Sequence, residues 1–252
     1  MLRTITATRY VTPLREGGSL PAIVEADDSG LYVLKFRGAG QGPLALVAEL
    51  IAGEIGRALG LRVPEIVFVE LDAALGRNEP DYEIRHLILA SEGLNLALDY
   101  LPGSIMYDAA VKQQVDSRVA SETVWFDAFI TNIDRTARNP NLLWWHKNLY
   151  LIDHGAALYF HHDWQNIEDK ALTPFRPIRD HVLLPKASEI AAAAGRLQCM
   201  LSEALFAGIV NQIPEEWLAP ERRAGYIAWL TTRLGNASIF VEEALRARNS
   251  LV

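Results

Sequence analysis

The chain has a single cysteine, Cys199, so no intramolecular disulfide can brace the fold. Half of its 252 residues are hydrophobic, yet no run approaches the ~18 consecutive apolar residues of a membrane-spanning helix. Met1-Leu2-Arg3-Thr4 lacks the apolar stretch and small-residue cleavage site of a secretory signal. These absences together predict a soluble, cytoplasmic protein. Basic residues are in the minority, 24 Lys and Arg against 31 Asp and Glu. The resulting net charge of −7 speaks against a dominant nucleic-acid surface while leaving room for a local basic pocket. Internal repeats and low-complexity tracts are missing, which excludes solenoids. With 22% charged residues the composition is that of a globular protein, not a disordered one. At roughly 100–200 residues per domain, the length suits one large domain or two intimate lobes.

What is present begins as β structure. Thr4 to Val11 is rich in Thr, Ile, Tyr and Val. Two apolar runs follow, Pro21 to Ala26 and Leu31 to Arg37, joined by Asp27-Asp28-Ser29-Gly30, with Gly30 expected to take the left-handed position of the turn. Leu44, Val47, Ile51, Ile55 and Ala58 recur at helical spacing and predict a helix from Pro43 to Leu59, stopped by Gly60. Further strands are expected over Glu65 to Leu71 and Leu94 to Leu101, with a helix over Pro80 to Ala90. Pro102-Gly103 is the best boundary between two lobes. Beyond it, Val115 to Ile130 reads as a helix. Leu142 to His146 and Leu149 to Asp153 read as a hairpin turning at Lys147-Asn148. Helices are expected over Lys186 to Gln212, briefly from Pro214, then over Pro220 to Leu234 and Ala237 to Arg248. Strands and one helix first, helices and one hairpin later, make an α+β protein.

Chemistry concentrates in Thr131-Asn132-Ile133-Asp134-Arg135-Thr136-Ala137-Arg138-Asn139-Pro140-Asn141, a polar segment between a buried helix and an apolar hairpin. The second hairpin strand ends in Leu151-Ile152-Asp153-His154-Gly155. Because hairpin strands run side by side, Asp134, Asn139 and Asp153 can converge. Two carboxylates and an amide oxygen form a hard-oxygen set suited to Mg²⁺ rather than Zn²⁺. The bland alternative makes Asp134 and Asp153 local caps.

The spacing D-R-x-x-x-N from Asp134 to Asn139, with Asn132 two residues before the acid, resembles the catalytic loop of the HipA-like kinases, and a similar loop occurs in phosphoinositide kinases. Asp153-His154-Gly155 stands where such kinases carry D-F-G or its variants. Val33-Leu34-Lys35-Phe36 resembles the strand that supplies the ATP-binding lysine. The helix with Glu49, closing in Leu59-Gly60-Leu61-Arg62-Val63-Pro64, is similar to the family's glutamate helix. The resemblance spans roughly residues 4 to 160, and Pro174 to Pro185 shares it. It implies a bilobal, protein-kinase-like α+β fold with a β-rich N-lobe over 1–101 and a helical C-lobe over 102–252. It also implies ATP and Mg as ligands, Asp134 accepting or orienting the substrate hydroxyl proton, Asn139 and Asp153 holding the metal, Lys35 on the phosphates, and Glu49 as its partner. Periodicity instead nominates Glu54, which falls within the large apolar stripe; family spacing favours Glu49. The Gly17-Gly18-Ser19 loop would cover phosphates through backbone N–H groups. Asp99-Tyr100-Leu101 would form the hinge that bonds adenine.

The expected activity is phosphoryl transfer from ATP to a serine or threonine hydroxyl, on a protein or on the chain itself. A lipid or small-molecule acceptor, and a nucleotide-binding pseudokinase acting as an interaction module, stay open, as does a metal-dependent hydrolase built on the carboxylates and histidines. A regulatory protein partner is compatible with each. His154, His161 and His162 lack the spacing of a helical zinc site and are expected at the surface or as caps. Cys199 is expected as a small core residue.

Overall fold

The β-favouring opening forms β1, Thr4–Pro13, in a computed structural model that describes residues 2–14, 20–40, 42–77, 79–111 and 115–251. β2 (Ala22–Ala26) and β3 (Leu31–Lys35) follow as an antiparallel pair. In the turn between them Ser29, not Gly30, takes the left-handed conformation, at φ 64°. The Asp28 carboxylate accepts from the Gly30 N–H and builds the turn from its side chain. Then come α1 (Pro43–Ala58), β4 (Ile66–Leu71), α2 (Tyr82–Ala90) and β5 (Gly93–Asp99). The five strands close into a barrel in the order β1-β2-β3-β5-β4, sealed by parallel pairing of β1 with β4.

Period-two alternation decides which residues fill that barrel. Val24, Leu34, Val67, Val69 and Ala97 belong to one buried cluster, to which α2 contributes Ile84 and Ile88. The alternate positions Ile66, Phe68, Leu96 and Leu98 belong to a second cluster together with α1 and the helices that follow. In the β3–β5 register Lys35 lies opposite Leu96. Directly opposed residues share a face, so Lys35 stands on the side of the sheet that α1 covers.

α1 approaches that side through small residues. A Cβ on Gly53 would lie 2.4 Å from the end of Ile66, and one on Gly56 would lie 3.1 Å from Val63 and 3.3 Å from Phe126. The helix stops where the sequence places a stop. Gly60, at φ 77°, donates to Arg57 O, and Leu61 donates to Gly56 O. This paired closure is the Schellman motif, which glycine enters without Cβ strain.

The remaining elements are β6 (Ile105–Met106), α3 (Ser117–Phe129), β7 (Leu142–Trp145), β8 (Asn148–Leu151), α4 (Ile167–Ala171), α5 (Ile190–Leu197), α6 (Glu203–Val210), α7 (Pro220–Gly235) and α8 (Ser238–Asn249). β6, β7 and β8 form a small sheet. The hairpin turns at His146-Lys147, one residue earlier than expected; both have positive φ, and Trp145 pairs with Asn148. The continuous helix expected over Lys186 to Gln212 is broken. Leu201 and Ser202 are extended, and the Ser202 hydroxyl accepts from Leu205 N to begin α6 afresh. Glu189 N donates to the hydroxyl of Ser121 on α3, which holds the segment before α5 in place. Pro214 opens a turn, not a helix. Cys199 is exposed rather than buried, because it follows α5 just before this break.

The 212–217 segment returns to the barrel. Trp217 meets Phe68 of β4 edge-on at 5.6 Å, Glu216 pairs with Arg37 at 3.2 Å, and Leu2 N donates to Gln212. No helix among the described residues is long and apolar enough to cross a membrane.

Candidate active site

The site grows from the end of α3. Val124, Trp125, Phe126, Ala128 and Phe129 are buried, and the one acid among them, Asp127, is buried as fully. A buried carboxylate needs partners, and Asp127 has three. Arg135 Nε donates to its Oδ2 at 2.5 Å, His181 Nε2 to Oδ2 at 2.9 Å, and Asn132 Nδ2 to Oδ1 at 3.0 Å. The His181 Nδ1 accepts from Leu183 N, which leaves the proton on the nitrogen facing Asp127. Burial alone would raise the Asp127 pKa, but Arg135 and His181 outweigh it and hold the carboxyl far below the usual range.

Those partners shape the loop. Asn132 Oδ1 accepts from Asp134 N at 3.1 Å. Arg135 Nη1 donates to Asn141 O and, at 3.3 Å, to Ile152 O, tying the loop to the start of β7 and the end of β8. Asp134 Oδ2 then accepts from Asn139 Nδ2 at 2.7 Å and from Asn141 Nδ2 at 3.4 Å. The Asp134 pKa is raised, first by burial and then by the charge of Asp153, while the two asparagine amides act in the opposite sense. Thr131, Asn141 and Asp153 all have φ near +50°, a region costly for side-chain-bearing residues and concentrated at functional sites.

The second half of the site comes from the barrel and α1. Lys35 Nζ donates to Asp153 Oδ1 at 2.6 Å and lies 3.5 Å from Glu49 Oε2. Burial would lower the lysine pKa, but Asp153 and Glu49 outweigh it and hold the ammonium above its ordinary range. Glu49 is buried. Glu54 pairs instead with Arg57 one turn along, at 3.2 Å, and does not reach Lys35. The structure thus brings together Lys35, Glu49 and Asp153 on one side, and Asp134, Asn139 and Asn141 on the other.

Asp153 and Asn139 could hold a divalent cation. The Asn139 amide nitrogen is spent on Asp134, which leaves its oxygen free, and the Asp153 carboxylate is partly exposed. This hard-oxygen chemistry fits Mg²⁺ or Mn²⁺. At the expected hinge, Asp99 N and Tyr100 N already donate, to Glu65 O and Leu31 O. Of the three residues, only Leu101 keeps an N–H without a partner among the described residues. Gly17, Gly18 and Ser19 lie outside the described residues.

His162 is exposed as expected, but two of the histidines depart from expectation. His154 is fully buried, with its N–H donating to Glu49 Oε2 at 2.9 Å and its Nδ1 3.2 Å from Oε1. His161 is buried against Tyr226 Oη at 2.9 Å, and burial pulls its pKa down to about 3. Among the described residues no cluster of His, Cys, Asp and Glu is able to hold a metal by itself. Sequence reasoning overlooked Asp127, Arg135, His181 and Asn141. The signal for Asp127 was available: an acid inside the most apolar run of α3 must be paired.

This arrangement on a mixed barrel-and-helix scaffold is that of the kinase fold. The chain matches the HipA-like kinase family over residues 8–234, and it belongs to that family. Among solved structures it is similar to the Helicobacter pylori proinflammatory kinase CtkA, with a TM-score of 0.60, 14% identity and 99% of each chain covered. It is also similar to the Golgi casein kinase with Mn and ADP bound, with a TM-score of 0.53, 12% identity, and 98% of this chain and 74% of that one covered. At these identities the likeness is one of fold. No curated protein matches the chain.

Proposed function

We propose that the protein is an ATP- and Mg²⁺-dependent phosphotransferase acting on a serine or threonine hydroxyl, on another protein or on itself. In this reading 1–101 is the N-lobe, 102–252 the C-lobe, and the nucleotide lies between them. The observation that carries it is the meeting of Lys35 with Glu49 and Asp153, beside an Asp134 flanked by two asparagine amides.

Each residue has a separable task. Leu101 N–H would donate to adenine. Lys35 would bring its charge to the phosphates, with Glu49 keeping it in place. Asn139 and Asp153 would hold Mg²⁺, which when bound supplies positive charge against the transferring phosphoryl group. Asp134 Oδ would accept the proton of the attacking hydroxyl, and the raised pKa suits a proton acceptor. Phosphoryl transfer asks the protein mainly for position and charge stabilisation.

The test is incubation of the purified protein with Mg²⁺ and γ-labelled ATP, alone and with a casein acceptor. Intact-mass analysis is read alongside the label. Phosphate on protein serine or threonine supports the reading. Bound ATP with no transfer to either protein would establish the pseudokinase alternative.

A further inference from the structure

We propose that His154 is a positioning residue: it clasps Glu49 to the end of β8 and so sets both acidic partners of Lys35. The inference rests on the kinase reading above and names the residue that orients its lysine.

Glu49 is fully buried, and an ionised carboxylate only accepts. Its contact with Lys35, at 3.5 Å, is long for a charge-assisted bond, which normally lies near 2.7–2.9 Å. Two closer donors both come from residue 154, the backbone N–H at 2.9 Å and Nδ1 at 3.2 Å. Because the carboxylate cannot donate, the imidazole nitrogen facing it carries a proton. Lys35 meanwhile makes its short contact with Asp153, at 2.6 Å. Glu49 therefore keeps its place whichever carboxylate the lysine faces.

The clasp also reaches Asp153. That residue sits at φ 57°, a conformation that persists only where neighbours enforce it. The bond from the following N–H to a buried glutamate enforces it, so one link fixes the backbone of Asp153 and the side chain of Glu49 together. It joins α1 to the end of β8 across 105 residues of sequence.

Packing does not account for an imidazole here. The ring lies edge-on to Phe126 at 5.7 Å, and its Nε2 is buried without a hydrogen-bond partner among the described residues. Burying that nitrogen costs free energy that an apolar ring of similar size would not incur. The gain that offsets it is the Nδ1–H directed at Glu49.

Three single variants and one double variant test the proposal, each compared with wild type. His154→Phe keeps the ring and the backbone donor but loses Nδ1–H. It should unfold at the same temperature as wild type or higher, yet bind Mg-ATP roughly tenfold more weakly, the scale of one charge-assisted hydrogen bond. His154→Asn, whose amide nitrogen stands near the place of Nδ1, should recover most of that affinity. Glu49→Leu removes the acceptor, and adding His154→Phe to it should cost no further affinity. Calorimetry reads the affinities, scanning fluorimetry the stabilities, and steady-state kinetics the KM for ATP against that for acceptor. A lower unfolding temperature with unchanged Mg-ATP affinity in His154→Phe would overturn the proposal, as would additive losses in the double variant. A wild type that binds no Mg-ATP overturns the kinase reading itself, and this proposal with it.

Discussion

Two neighbouring carboxylates, Asp134 and Asp153, differ in what holds them. Asp153 leans on Lys35, whereas Asp134 accepts from the amides of Asn139 and Asn141 and is raised, by burial first and by Asp153 second. A carboxyl raised in the folded state keeps its proton to higher pH than in the unfolded chain. Ionised Asp134 therefore costs stability above that folded pKa, and the cost fades as pH falls through it. Asp134→Asn should raise the unfolding midpoint at neutral pH by a few degrees in protein free of metal and nucleotide. The gain should shrink as pH approaches the ordinary carboxylate range near ~4. The same change should depress turnover by ~10²–10⁴-fold. Thermal scans across pH check the first part and label transfer the second; a lowered midpoint at neutral pH would contradict the assignment. Among single residues, Asp134, Asn139, Asp153 and Lys35 could be singled out because their types and spacings speak of chemistry. Asp127 and His181 could not be paired from sequence, since 54 residues separate them.

At the level of elements, α3 does more than bury an apolar face. Through Asp127 it anchors Asn132, Arg135 and His181, and through them the 131–141 loop and the ends of β7 and β8. Arg233 of α7 caps the same helix, donating to Ala128 O and Phe129 O at 2.7 Å each. Asp127→Asn would leave the buried Arg135 without its counter-charge and the His181 Nε2–H facing a neutral amide. A loss of about 3–5 kcal/mol is expected, the usual result of breaking a buried pair. Urea unfolding measures it, and a loss below ~1 kcal/mol would mean that the loop does not depend on this anchor. Elements with strong local punctuation were legible: α1 begins at Pro43 and closes at Gly60 as its sequence indicates. The 186–212 stretch was not, because its one local mark of the interruption, Ser202, whose hydroxyl accepts from Leu205 N, sits in a Leu- and Ala-rich run that otherwise reads as continuous helix.

Over the whole molecule, one hydrophobic cluster runs from Leu46 and Ile66 beside the barrel to Phe240 and Ala247 at the far end of the chain. Trp217 closes it against Phe68 of β4, on the side of the sheet that α1 covers. The barrel and the helices should therefore unfold as one unit. Trp217→Ala should remove about 3–5 kcal/mol and lower a single transition, without splitting it. Coincident circular dichroism and tryptophan fluorescence curves would bear this out, and separate melting of the barrel would refute it. The sequence by itself determined the order and type of the early elements and marked the polar 131–141 segment and Asp153 as a place where charged and amide side chains gather. Those features rest on local periodicity, turn chemistry and side-chain type. Only the tertiary structure decided between Glu49 and Glu54. Both lie on one helix, and the small faces of Gly53 and Gly56, seated against Ile66, Val63 and Phe126, fix which side of it meets Lys35. The same holds for the buried partners of Asp127 and for the clasp at His154. Local sequence cannot specify a contact between segments tens of residues apart, which forms only when the core brings them together.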